Sequence, residues 1–288
     1  MRIVSFRYGN VPQLGLASAD GRQVRPFSIE NEHRPVGLRC LIEWLESGGE
    51  LPPVGEPLAI EDVELLAPFR SFRRNLWCVG RNYRAHAREL AGSVFQNQKA
   101  QDDGWPMVFT KVPEAVVGPH AQVHLPTDVS DQIDCEGELA VVIGRGGRSI
   151  ARADAMNHVF GYTIVNDVTA RDVQMRHGQW DLGKNFDGFC PMGPWVVTAD
   201  ELDGRDTRVR CWVNGELRQD APTSDMIFDI PALIETVSRG ITLYPGDVIA
   251  TGTPAGVGMG MSPQRWLRSG DVVRVEVDGI GAIENRFI

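Results

Sequence analysis

Asp134-Cys135-Glu136-Gly137-Glu138-Leu139-Ala140-Val141-Val142-Ile143-Gly144 is the stretch on which the reading of this chain turns. Its second half is an unbroken apolar run of the kind that forms a buried strand. Its first half carries acids at alternate positions. Side chains alternate faces along a strand, so Glu136 and Glu138 point the same way, roughly 6.5–7 Å apart, while Cys135 and Gly137 point away. A second apolar run, Phe160-Gly-Tyr-Thr-Ile-Val165, leads into Asn166-Asp167. Desolvating an unpaired carboxylate costs at least several kcal/mol, so three acids set against two buried runs imply a compensating cation. All-oxygen ligation selects magnesium, manganese or calcium over zinc or copper. Alternating acids taken alone more often mark a solvent-facing strand edge; the flanking apolar runs and the third acid separate this pair from that case.

The rest of the chain sets bounds. Its 288 residues, 42% hydrophobic and 23% charged, suit a soluble globular protein with a large core. No apolar stretch approaches the roughly 20 residues of a membrane span, and the N-terminal Met-Arg-Ile-Val-Ser-Phe-Arg-Tyr lacks a signal-peptide core, which places the protein in the cytoplasm. A net charge of -9 argues against nucleic acid as a partner. The densest basic stretch, Arg70 to Arg88, serves equally as a solvated face or as substrate steering. Five scattered cysteines without a CxxC pair read as reduced thiols, with Cys78 and Cys135 the two beside candidate site residues.

Proline punctuation at Pro52-Pro53 and Pro57 separates a small N-terminal β-rich domain, residues 1–70, from a larger domain, residues 71–288. The former carries short strands and a helix near Leu38 to Ser47. The latter shows hairpin signals at Asn214-Gly215 and Asp278-Gly279 and a helix over Ile230–Ser238, with Pro231 in its first turn and Gly240 past its end. The polar run Ser93 to Gly104 is a loop, either an ordinary insertion or a lid.

Three further groups carry chemistry. His86 and Glu89 share a helix face; a carboxylate beside an imidazole fixes its tautomer and raises its basicity, as a general base requires, although pairs at this spacing are commonly surface pairs. Arg171 and Gln174 follow Asp167 on one helical face, and Lys184 sits among Phe186 and Phe189, suited to an oxyanion or to snorkelling from a loop. The turn Thr251-Gly-Thr253-Pro-Ala-Gly-Val-Gly258 offers backbone N–H groups and the Thr253 hydroxyl to a carboxylate, or is a plain tight turn.

Taken in order, Val79-Gly-Arg-Asn-Tyr83, Phe109-Thr-Lys111, Asp134-x-Glu136-x-Glu138, Gly161-Tyr-Thr-Ile-Val-Asn-Asp167, Lys184-Asn-Phe-Asp-Gly-Phe189 and Thr251 to Gly258 resemble the fumarylacetoacetate hydrolase family, in particular its bacterial acylpyruvate hydrolase and 2-hydroxyhepta-2,4-diene-1,7-dioate isomerase members. The resemblance implies a mainly β, α+β fold, a mixed β-roll or β-sandwich C-terminal domain behind a small N-terminal one, and a homodimer. It implies that Glu136, Glu138 and Asp167 hold the metal, that His86, Glu89 and Lys184 are catalytic, and that Arg81, Tyr83, Arg171, Gln174 and Thr253 bind substrate. Animal fumarylacetoacetate hydrolases add a fourth carboxylate to a calcium site. Here Asn82 and Tyr83 stand in its place, and the open coordination positions favour Mg2+ or Mn2+ over Ca2+.

The activity this implies is hydrolytic carbon-carbon cleavage of a 2,4-dioxo acid to pyruvate and a carboxylic acid, with a small 2-oxo acid as the only partner besides a second copy. Two alternatives stay open. One is decarboxylation, isomerisation or hydration of 2-oxo and 2-hydroxydienoate acids from aromatic catabolism; the other is a catalytically silent metal-binding scaffold.

Overall fold

A computed structural model describes residues 1–28, 37–91, 104–176 and 178–288. The apolar run is a strand, Gly137–Ile143, with every residue buried. It sits inside a large sheet, antiparallel to Val159–Asn166 on one side and to Val248–Ala250 on the other. Along the sheet the order is Leu58–Ala59, Gln23–Pro26, Val11–Ala17, Arg2–Tyr8, Cys190–Thr198, Val159–Asn166, Gly137–Ile143, Val248–Ala250, Leu76–Gly80 and Met107–Lys111. Val248–Ala250 and Leu76–Gly80 run parallel.

Both faces of the central strand are covered, which is why its sequence does not alternate. Leu139, Val141 and Ile143 pack with Val209, Val213, Val273 and Val275 of a second sheet, ordered Glu216–Pro222, Arg208–Val213, Val272–Val277 and Gly281–Arg286. Ala140 and Val142 face the other way, into a cluster with Ile3 and with Leu38, Leu41 and Ile42 of the helix Leu38–Glu46. The second sheet has one covered face, and its strands Arg208–Val213 and Val272–Val277 accordingly alternate buried and half-buried residues. The result is a mainly β, α+β molecule with two packed sheets.

Hydrogen bonding continues across residue 70. The strand Arg2–Tyr8 pairs with Cys190–Thr198, Arg2 opposite Val197 and Ile3 opposite Val196, so the N-terminal strands extend the same sheet. At Asn214-Gly215 the two-residue loop has both residues at positive φ, 52° and 79°, the type I′ geometry that matches strand twist. The second hairpin differs from expectation. Ile280 belongs to the loop and its N–H returns to Val277 O, giving a three-residue connection in which Gly279, φ 82°, takes the left-handed position. The helix Ile230–Ser238 starts as its sequence predicts, with Pro231 in the first turn and the Asp229 side chain accepting the Ala232 N–H.

Gly137 has a specific task. A Cβ there would lie 2.8 Å from Val275 Cγ1 and 3.3 Å from Gln219 Oε1, so the missing side chain is what lets the second sheet close over the acid-bearing end of the strand. Gly137→Ala is expected to lower stability by about 1–3 kcal/mol, read as a shift in the denaturant midpoint at unchanged slope.

Candidate active site

The three acids converge. Glu136, Glu138 and Asp167 are at most 5% exposed, and each offers a carboxylate oxygen within 4.8 Å of the others. Glu136 and Glu138 project from one face, as strand alternation requires; Asp167 arrives from the end of the neighbouring strand, its N–H donating to Glu136 O at 2.8 Å. The Asn166 side chain accepts the Glu136 N–H at 3.0 Å and pins the junction.

Buried cations stand among these acids. Lys184 Nζ lies 2.7 Å from Glu136 Oε2 and 2.6 Å from Asp167 Oδ2, and Lys111 Nζ lies 2.7 Å from Asp167 Oδ1. Arg171 spans Asp134 at 2.9 Å and Glu136 at 2.7 Å, and donates to Gln174 Oε1 at 3.3 Å. Burial opposes ionisation of Glu136, but Arg171 and Lys184 outweigh it and hold this carboxyl well below the usual range. Burial likewise works against the Lys184 charge, and Asp167 with Glu136 overcomes it, leaving the ammonium more basic than an ordinary lysine. The ring against Lys184 is Phe109, 4.8 Å from Nζ, not the aromatics that follow it in sequence.

Glu138 is the exception. It accepts the Gly252 N–H at 2.9 Å, and among the described residues no lysine or arginine pairs with it. Burial, then the charges of Asp167 and Glu136, push its pKa well above the ordinary value. Among the described residues four buried carboxylates, counting Asp134, thus face three buried cations, one acid more than the cations can pair. A hard divalent cation held by Glu136, Glu138 and Asp167 fits this donor set and this imbalance.

Across the cleft, His86 Nδ1 lies 3.0 Å from Glu89 Oε2. Both come from the helix Arg84–Ala91, and Glu89 Oε1 accepts the Gly256 N–H at 2.9 Å. With Nδ1 turned to Glu89, Nε2 is the ring nitrogen left for chemistry. The glycine-rich turn therefore directs its N–H groups to the protein's own acids: Gly252 to Glu138, Gly256 to Glu89, Gly258 and Met259 to Asp134. Gly256 is obligatory on two counts, a φ of 109° and an approach that would leave a Cβ 1.8 Å from Arg218 O.

Arg81, His86, Arg171, Gln174, Lys184 and Thr253 line this cleft together with Glu136 and Glu138; its empty space is about 300 Å³ including the open mouth. Its lining does not include Glu89, Asp167 or Tyr83. Thr253 Oγ1 donates to Gly137 O and accepts from Gln219 Nε2, so its hydroxyl is engaged with the sheet. Tyr83 is fully buried, its hydroxyl without a hydrogen-bond partner among the described residues. Asn82 is structural, joining Thr251 O to Phe228. Three buried thiols, Cys78, Cys135 and Cys190, are held toward the protonated form. Cys135 is driven up by its neighbour Cys211, 3.9 Å away, while burial raises Cys78 and pushes Cys190 up to about 12. Residues 93–103 of the expected loop or lid lie outside the described residues.

Lys111, Asp134 and Gln219 join the site without having been expected from sequence. Lys111 carried a signal, a lysine closing the apolar strand Met107–Lys111, where a buried ammonium demands an acid. Gln219 carried none, since it reaches Gly137 N, Thr253 and Pro254 O from the other sheet.

Fold and site together define a β-rich enzyme scaffold with a candidate centre for a divalent cation. The family described as fumarylacetoacetate (FAA) hydrolase, C-terminal, matches residues 75–288, and the chain belongs to it. It is 49% identical over 251 residues to the oxaloacetate tautomerase YisK of Bacillus subtilis, covering 86% of this chain and 81% of that one. The solved structure of a fumarylacetoacetate hydrolase from Exiguobacterium antarcticum superposes with a TM-score of 0.84 at 40% identity, over 100% of this chain and 99% of that one. A 5-carboxymethyl-2-hydroxymuconate delta-isomerase from Mycobacterium smegmatis gives 0.79 at 35% identity, with coverage of 100% and 99%.

Proposed function

We propose that this enzyme interconverts the keto and enol forms of a small 2-oxo acid, oxaloacetate or a close dicarboxylic analogue, as a magnesium- or manganese-dependent tautomerase. The observation that carries the reading is that an oriented base, His86 held by Glu89, shares one small cleft with Glu136 and Glu138 of the three-acid cage. The likeness to a relative named for oxaloacetate tautomerisation supports it. This reverses the order expected from sequence, in which carbon-carbon hydrolysis stood first.

A divalent cation held by Glu136, Glu138 and Asp167 would supply Lewis-acid polarisation of the 2-oxo group. His86 Nε2 takes the proton from the carbon beside that group and returns it to oxygen, while Glu89 holds the imidazole and stabilises its charged form. Arg171 and Lys184 hold Glu136 ionised, and Lys184 also pairs with Asp167, which fixes both acids toward the cage. Gln174 and Thr253 shape the wall against which the substrate lies.

Hydrolysis remains the second reading, because the same dyad can take its proton from water. Fresh oxaloacetate, an acylpyruvate and a 2-hydroxydienoate, each with and without Mg2+, separate the two. Tautomerisation predicts faster loss of the enol absorbance of oxaloacetate with no new product. Pyruvate plus a carboxylic acid from the acylpyruvate, without tautomerase activity, would overturn it.

The cation makes its own prediction. Saturating Mg2+ or Mn2+ at about 100 times Kd is expected to add about 2.7 kcal/mol to stability, seen as an EDTA-reversible rise in Tm. An unchanged Tm would remove the metal from the proposal.

A further inference from the structure

We propose that Asp134 is a positioning residue that sets the cation affinity of the cage, by keeping the Arg171 guanidinium from closing on Glu136 with two donors at once; this role rests on the metal reading above. Asp134 closes the strand Ile133–Asp134 opposite Thr169, and Thr169–Ala170 leads directly into the helix Arg171–Arg176. Strand pairing thus brings acid and guanidinium together across 37 positions of sequence. Both are at most 2% exposed. Glu136, Arg171 and Gln174 line the cleft, and the lining does not include Asp134.

The Asp134 carboxylate gathers donors from three parts of the site. Oδ1 accepts the Cys135 N–H at 3.0 Å and the Gly258 N–H at 2.7 Å; Oδ2 accepts the Met259 N–H at 3.0 Å and Arg171 Nε–H at 3.0 Å. Gly258 permits this approach, since a Cβ there would lie 2.9 Å from Oδ1 and 1.9 Å from Arg265 O. Backbone donors cannot swing with a side chain, so they fix the carboxylate, and the carboxylate fixes the guanidinium. Arg171 Nη1 then turns to Gln174 Oε1 at 3.3 Å. Its Nη2 lies 2.9 Å from Asp134 Oδ2 and 2.7 Å from Glu136 Oε1, with no N–H aligned on either. The aligned hydrogen bonds of Arg171 therefore go to Asp134 and Gln174, and Glu136 is met by charge alone. A guanidinium released from Asp134 would turn two parallel donors onto Glu136, the arrangement in which carboxylates are held most strongly, and would compete with a cation for the same oxygens.

Isothermal titration of Mg2+ into the full chain, stripped beforehand with EDTA, reads the affinity without turnover. Asp134→Asn and Asp134→Ser are each expected to weaken Mg2+ about 10- to 100-fold. The serine variant keeps an oxygen for the Gly258 N–H and keeps the test alive if the asparagine variant misfolds. In the Arg171→Gln background no guanidinium can turn on Glu136, and the same substitutions are expected to change Mg2+ affinity less than about threefold. Equal weakening in both backgrounds would overturn the assignment, because lost turn contacts or a lost nearby charge act whether or not Arg171 is present. Unchanged affinity of the single variants would overturn it as well and leave the metal reading intact. A wild-type chain that binds neither Mg2+ nor Mn2+ would sink the metal reading, and the role of Asp134 with it.

Discussion

Asp167→Asn is expected to cost about 3–5 kcal/mol of folding stability in the absence of metal, and Glu138→Gln to cost nothing or to stabilise. The opposite signs follow from the partners. Asp167 sits between two fully buried lysines, Lys111 at 2.7 Å and Lys184 at 2.6 Å, and is the acid that pairs with Lys111 among the described residues, so its neutral isostere leaves a buried ammonium without its carboxylate. Glu138 has the Gly252 N–H and two like-charged neighbours. Its pKa is raised by burial and by Asp167 and Glu136, from an ordinary 4.5. A folded-state pKa above the unfolded one contributes stability that is complete below the unfolded value and is lost as pH rises through the folded one. Metal-free protein should therefore lose stability with rising pH over that window, and Glu138→Gln should flatten the slope. Both variants should also lose the Mg2+-induced rise in Tm. Urea melts with and without EDTA across pH report all of this; a Glu138→Gln chain as destabilised as Asp167→Asn would refute the charge accounting.

His86→Gln should lower turnover about 10²- to 10⁴-fold while leaving the Mg2+-induced rise in Tm intact. On the proposed reading the imidazole moves the proton, and it is not one of the three acids that would hold the cation. Glu89→Gln should cost less and act through the imidazole. Its Oε1 would still meet the Gly256 N–H, but Nδ1 would lose its charged partner and the ring its orientation, read as a fall in kcat with little change in KM. A His86→Gln enzyme with wild-type turnover would transfer the proton step to another group and leave His86 a packing residue.

The two predictions concern the two ends of one cleft, and the family relationship alone decides neither. Relatives with this fold carry the names of tautomerase, hydrolase and isomerase.

Much of this is legible in the amino-acid sequence. Period-two alternation puts Glu136 and Glu138 on one face, an apolar run without alternation announces a strand covered on both sides, and the three-residue spacing of His86 and Glu89 puts them on one helical face; each is a consequence of local backbone geometry, which the chain carries wherever it goes. The rest is settled by partners distant in sequence. Lys111, Asp134 and Gln219 join the site because strand pairing and sheet packing bring them there, and the glycine-rich turn grips the protein's own acids because three of them lie above it. Local pattern determined which acids face inward. Only the tertiary structure decided which of them is already neutralised by a buried cation and which, Glu138, has none among the described residues, because desolvation and Coulomb interaction depend on distances through space and leave no period in the sequence.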